Sequence, residues 1–335
     1  MTTKTRYFVV GSLLTLGVGL GVGLVAYSTG FSTSAFTRQG GPDELQFVPA
    51  NAALVAYADV HDIMLSDLRQ KVRSALPMKP DGQGEFQNQT GINIETDIDH
   101  VLAAIVPTGE QVGQMPGAPM VLARGRFDQV KIEALMREHG AQVEEYKGVR
   151  LVVGGGQSGK GGSVSLAFLE PGLVAVGSPA LIRGAVDLKT GGSSIATNDD
   201  MMGRIRDLDG NAWAAGRFDA LTSRATLPNG VAQQLPSVTF FSATAHIDSG
   251  IRGSLRAETR DEESANGLRD VVRGFLALGR MQASGRPEIA GALQSLQLGG
   301  SGTMVSLSFD LPATAIDALS RIGARRVGPA SAPVR

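Results

Sequence analysis

The sequence predicts an α+β protein: an N-terminal transmembrane helix, then an ectodomain of two similar halves with mainly antiparallel sheets and packed helices. Three observations predict it. Residues 7–31 are uncharged and apolar, the hydropathic period behind them switches repeatedly between strand-like and helix-like, and short phrases of the first half recur in the second. Hairpins dominate and no regular βαβ alternation is present, which points to antiparallel rather than doubly wound sheets.

The run YFVVGSLLTLGVGLGVGLVAYSTGF (Tyr7–Phe31) matches the ~20 residues a helix needs to cross a ~30 Å hydrocarbon core. Tyr7 and Tyr27 stand near its ends, where amphipathic rings favour the interface. Lys4 and Arg6 favour a cytoplasmic position for residues 1–6. The remainder of the chain is then expected on the periplasmic or extracellular side of an inner or plasma membrane. The alternative is a cleaved signal peptide with Thr33 and Ala35 at the processing site, but the run exceeds the ~7–15-residue apolar core of such peptides. Two small-xxx-small steps, Gly17/Gly21 and Gly19/Gly23, let helix backbones approach closely. They offer a homodimer contact through Gly17, Gly19, Gly21 and Gly23.

Composition supports a folded ectodomain. The apolar fraction is 42%, an ordinary globular value. Lysine and arginine number 31 against 32 aspartates and glutamates, a balance without the basic excess of a nucleic-acid binder. There are 0 cysteines, which excludes disulfides, thiol catalysis and cysteine-ligated zinc. Residues 32–47, rich in Ser, Thr, Gly and Pro, read as a tether. Residues 48–192 and 198–323 read as the two α+β units, and 324–335 as a disordered tail.

Within the first unit, Ala53–Val60 reads as a strand and Asp62–Leu76 as a helix with Leu65, Leu68, Val72 and Leu76 on one stripe. Val101–Pro107 and Met120–Phe127 form a hairpin, after which Asp128 caps a helix, Gln129–His139, that stops at Gly140. Val143–Val153, Val164–Leu169 and Leu173–Val176 are further strands, the last two turning at Glu170-Pro171-Gly172. Ser178 at N-cap and Pro179 at N1 open the helix Ala180–Lys189.

The second unit repeats the order. NAALVAYAD (51–59) is echoed by NAWAAGRFD (211–219), and Gly-Arg-Phe-Asp occurs at 125–128 and 216–219. This pairs Asn51 with Asn211, Asp59 with Asp219 and Asp128 with Asp261. Val238–Ile247 and Ile251–Thr259 form the matching hairpin, followed by a helix Glu262–Leu278, then a strand Met304–Phe309 and a helix Ala313–Ile322.

Motifs that carry chemistry are few. Gly154–Gly161 satisfies GxxxxGK and resembles the phosphate-binding loop of P-loop NTPases. However, Gly161 replaces the Mg²⁺-binding hydroxyl and a strand follows where a helix is needed, so a hairpin loop is the expectation. Asp59, His61 and Asp62 offer metal donors, yet at a strand-to-helix junction either aspartate serves more simply as an N-cap. His100 with Asp97 and Asp99 is a weaker version, and His139 and His246 lack ligand spacing. Gly177-Ser178-Pro179 is the nearest approach to a nucleophile elbow, and its serine is needed as a cap. Arg269 and Arg273 read as the solvated face of a helix, and Trp213 as core. No catalytic, cofactor or metal residue is therefore assigned. The expected function is non-enzymatic: a membrane-anchored binding or scaffold protein of the cell envelope. The alternatives are an envelope hydrolase with a site assembled between the halves, and a carrier of lipid or another apolar ligand.

Overall fold

The computed structural model describes residues 42–75, 87, 88, 90–107, 117–154, 163–218, 237–283 and 287–316. The expectations for residues 1–6, the span 7–31, residues 32–41, the loop 155–162, Asp219 and the tail 324–335 lie outside them. Among the described residues no helix is long and apolar enough to cross a membrane.

The described strands form one 12-stranded sheet in the order β11-β12-β10-β9-β8-β1-β2-β3-β7-β6-β5-β4. They are β1 (Leu54–Asp59), β2 (Ile98–Val106), β3 (Ala118–Gly125), β4 (Gln142–Tyr146), β5 (Val149–Gly154) and β6 (Val164–Glu170). The remainder are β7 (Leu173–Gly177), β8 (Ala212–Arg217), β9 (Val238–Ile247), β10 (Gly250–Thr259), β11 (Gln297–Gly299) and β12 (Met304–Pro312). Every pairing is antiparallel, including that of β1 with β8, where Ala56 stands opposite Ala214. The fold is therefore α+β with a large antiparallel sheet.

Eight helices are described: α1 (Val60–Leu65), α2 (Asp67–Ala75), α3 (Ile94–Asp97), α4 (Gln129–Glu138), α5 (Pro179–Thr190), α6 (Asp199–Ile205), α7 (Glu262–Gln282) and α8 (Pro287–Ser295). The side chains that alternate along the central strands feed two layers. Val55, Leu102, Met120, Leu122 and Trp213 pack with Leu181 and Ile182 of α5 in the main core. Val101, Ala103 and Val121, one step out of phase, pack with Val60 of α1 and Ile94 of α3. Burying both faces explains the nearly continuous apolar runs of β2 and β3.

Four elements differ from the sequence reading. Asp43–Phe47, counted there with the tether, forms a 3-10 helix whose Leu45 and Phe47 are buried in the main core. Where a single helix Asp62–Leu76 is expected, the described residues form two, Val60–Leu65 and Asp67–Ala75, broken at Ser66, whose backbone is extended. The Ser66 hydroxyl donates to Ile63 O and accepts from Arg69 N, closing α1 and capping α2. The break leaves Leu65 exposed while Leu68 is buried. Val143–Val153 is a hairpin, since Lys147 (φ 50°) and Gly148 (φ 78°) supply the paired left-handed conformations of a tight turn. Arg269, read as solvated, is buried and donates to the carbonyls of Gly302 and Met304 at 2.9 Å each.

Candidate functional site

The strongest gathering of ionisable groups sits where the 3-10 helix Asp43–Phe47 lies on the sheet. Glu44 is buried. It reaches His100 at the start of β2 and Arg124 near the end of β3, two residues that stand opposite each other in the ladder. Arg124 Nε donates to Glu44 Oε1 at 2.7 Å, and Arg124 also donates to Glu170 Oε2 at 3.3 Å. His100 Nε2 is 3.2 Å from the same Glu44 oxygen, close enough for an ion pair but without the alignment of a hydrogen bond. Burial by itself raises the Glu44 carboxyl, but His100 and Arg124 outweigh it and hold the group down at about 2.

An aromatic wall adjoins the cluster. The Tyr57 ring lies 5.5 Å from His100 and stacks on Trp213 at 5.6 Å. Burial, reinforced by the Asp59 and Glu44 carboxylates, pushes the Tyr57 phenol well above its ordinary range. Trp213 is core, as its surroundings in the sequence imply. Chemically the cluster is a closed electrostatic clamp. Glu44 is committed to Arg124, and among the described residues no hydroxyl is hydrogen-bonded to His100. The sequence reading missed Glu44 because Ser, Gly and Pro in the preceding residues masked the short apolar phrase Leu45-Gln46-Phe47.

The residues weighed in the sequence take other positions. Asp59 Oδ1 accepts from Asp62 N at 2.9 Å as the cap of α1. Burial and the neighbouring Asp59 raise the Asp62 carboxyl. Asp97 accepts from Asn93 N at 2.8 Å, a bond that lowers its carboxyl, and it also pairs with Arg126. His139 bonds Leu135 O, and His246 pairs with Asp209 at 3.1 Å. Ser178 caps α5 by accepting from Leu181 N. Among the described residues no three His, Asp or Glu side chains gather as a metal site. A shallow apolar hollow lies over β1, β2 and β3, lined by Leu54, Ala56, Ala103, Ile105, Pro119 and Val121. Compared with protein-family models, curated proteins and solved structures, the chain matches none.

Proposed function

We propose that this chain is a single-pass, membrane-anchored binding or scaffold protein of the cell envelope, with its folded part on the extracytoplasmic side and no catalytic role. The observation that carries the location is the uncharged run Tyr7–Phe31 behind Lys4 and Arg6. The anchor's Gly17, Gly19, Gly21 and Gly23 face supplies a homodimer contact. The commitment of Glu44 to Arg124 supports binding over catalysis, because an acid held in a closed ion pair has no free partner for proton transfer.

The ectodomain is a tandem repeat related by a two-fold axis near Ala56 and Ala214. Strand order supports this: β1-β2-β3-β7-β6 runs outward on one side and β8-β9-β10-β12-β11 on the other. So do four backbone bonds. Gly125 N donates to Gly172 O and Arg126 N to Asp97 O, while Thr259 N donates to Thr303 O and Arg260 N to Ser237 O. The second half carries α8 where the first carries the hairpin β4–β5.

A reporter active only outside the cytoplasm, fused after Arg335, is expected to work in a bacterial host. Activity of a cytoplasm-only reporter at that site would overturn the location. Hydrolysis of an envelope substrate by the purified chain, lost in His100→Ala, would overturn the non-enzymatic reading.

A further inference from the structure

The 3-10 helix Asp43–Phe47 sits on the molecule as a bound peptide would. It belongs to no ladder of the sheet, and its N-cap, Pro42, makes no side-chain cap bond. A 3-10 helix of five residues does little to hold itself, because its hydrogen bonds are poorly aligned. Its anchors are all distant. Leu45 and Phe47 are each 1% exposed in the main core, and the element packs against α5 and the 3-10 turn Ile195–Thr197. Glu44 reaches Arg124 across 80 residues. The chain behind it is extended at Val48 and pairs as a strand does. Ile195 N donates to Val48 O at 2.8 Å, Ala50 N to Ser193 O at 3.0 Å, and Asn198 Nδ2 to Ala50 O at 3.0 Å. Main-chain pairing, buried sites for particular side chains and a charge clamp are what peptide-binding grooves use.

We propose that this groove is a peptide-binding site held shut by the chain's own residues 43–48. From a partner it takes a segment with an acid, a leucine directly after it, and an aromatic ring two positions further on. That chemistry is read from the occupant already seated: Glu44 for Arg124 and His100, Leu45 and Phe47 for the core, residues 48–50 for the backbone of 193–195. The groove does not depend on its occupant. α5 rests on β3, β5, β6 and β7, and Arg124 keeps a second carboxylate partner, Glu170, at 3.3 Å. Without Glu44 it presents the Arg124 guanidinium beside His100 Nε2, a buried atom that Glu44 leaves without a hydrogen bond. The linked segment acts at an effective concentration of about millimolar, so a free peptide enters only by binding more tightly or when the linked one is weakened. Such a partner segment is the ligand of the binding role proposed above, on which this assignment rests; the membrane location plays no part in it.

The test uses the full-length chain carrying Glu44→Ala and Phe47→Ala together, which weakens the occupant and leaves Arg124, His100 and α5 unaltered. The probe is the peptide PDELQFVPA, the sequence of residues 42–50, blocked at both ends. It should saturate this variant at one site per chain and raise its melting midpoint. The unaltered protein should bind it at least about 100-fold more weakly, because its linked segment fills the groove. A peptide with glutamine in place of the glutamate should bind the variant about 30-fold more weakly, having lost the charged partner of Arg124. No binding to a folded variant, or equal binding of the two peptides, would overturn the proposal. Where the double variant fails to fold, hydrogen exchange in the unaltered protein decides. The amides of Ala50 and Ile195, which join the segment to its groove, should exchange at least about 10-fold faster than those of β1, through an opening that leaves the sheet intact. Exchange of both at the rate of the whole fold would show that residues 43–48 are fixed core, and the proposal fails. Either failure is distinct from failure of the non-enzymatic reading, which hydrolysis of an envelope substrate reports.

Discussion

Glu44 and Arg124 lie 80 residues apart in sequence and are joined by a 2.7 Å hydrogen bond at the edge of the main core. The bond fixes the chain immediately ahead of β1 to the far side of β2. It also sets an acid dependence. The folded Glu44 carboxyl sits at about 2 against an ordinary 4.5, so its ionised form stabilises the fold fully above pH 4.5, and that contribution is lost as pH falls toward 2. Its size is about 3 kcal/mol. In denaturant melts, Glu44→Gln should lower stability by that order at pH 7 and flatten the dependence between pH 4.5 and 2. An unchanged acid limb would mean that other carboxylates govern it.

Three aspartates cap helices through bonds of 2.8–3.0 Å: Asp59 to Asp62 N, Asp128 to Lys131 N and Asp261 to Ser264 N. Each Asp→Ala change should cost about 0.5–2 kcal/mol, and Asp→Asn should recover most of it. Equal losses for Ala and Asn would show that charge, rather than the cap bond, is what counts.

Gly125 has no room for a side chain, since a Cβ there would stand 2.0 Å from Asp97 O. Gly125→Ala should therefore cost at least about 1–3 kcal/mol by forcing the strands apart. Thr259, at the end of β10, already carries a side chain that donates to Thr303 O at 2.9 Å. Thr259→Ala should cost only about 0.5–1.5 kcal/mol for the lost hydrogen bond. A larger loss at Thr259 than at Gly125 would reverse this ranking.

Leu68 is 2% exposed and finds its partners far along the chain: it packs on Ile251 and Ala313, and its N–H donates to Asp248 O at 3.0 Å. Leu68→Ala should cost about 2–5 kcal/mol. Hydrogen exchange should speed up in β10 as well as in α2. Faster exchange confined to α2 would show that α2 and β10 are not coupled through this residue.

Periodicity and end signals made most elements legible. Asp128, Ser178-Pro179 and Glu170-Pro171-Gly172 act within three residues of themselves, and the structure uses them as caps and a turn. What lay hidden depended on distant partners. Nothing near Ser66 says that a helix breaks there, because Leu68 turns inward to meet β10. Glu44 needs Arg124, and Arg269 needs a turn before β12 that lies more than 30 residues away. The echo of NAALVAYAD in NAWAAGRFD falls on two neighbouring strands, β1 and β8, and its last residue, Asp219, lies outside the described residues.

The place where the chain enters the sheet has a mechanical consequence. The first strand, β1, is bonded along both edges, by six residue pairs to β2 and five to β8, in the middle of the twelve. Tension arriving through the residues before Asp43 meets the Glu44 clamp and then loads both ladders together, in shear. A chain entering at β4 or β11 would instead unzip one bond at a time from a margin. A pull on the residues before Asp43 is thus taken at the centre of the sheet, where the most bonds must yield at once.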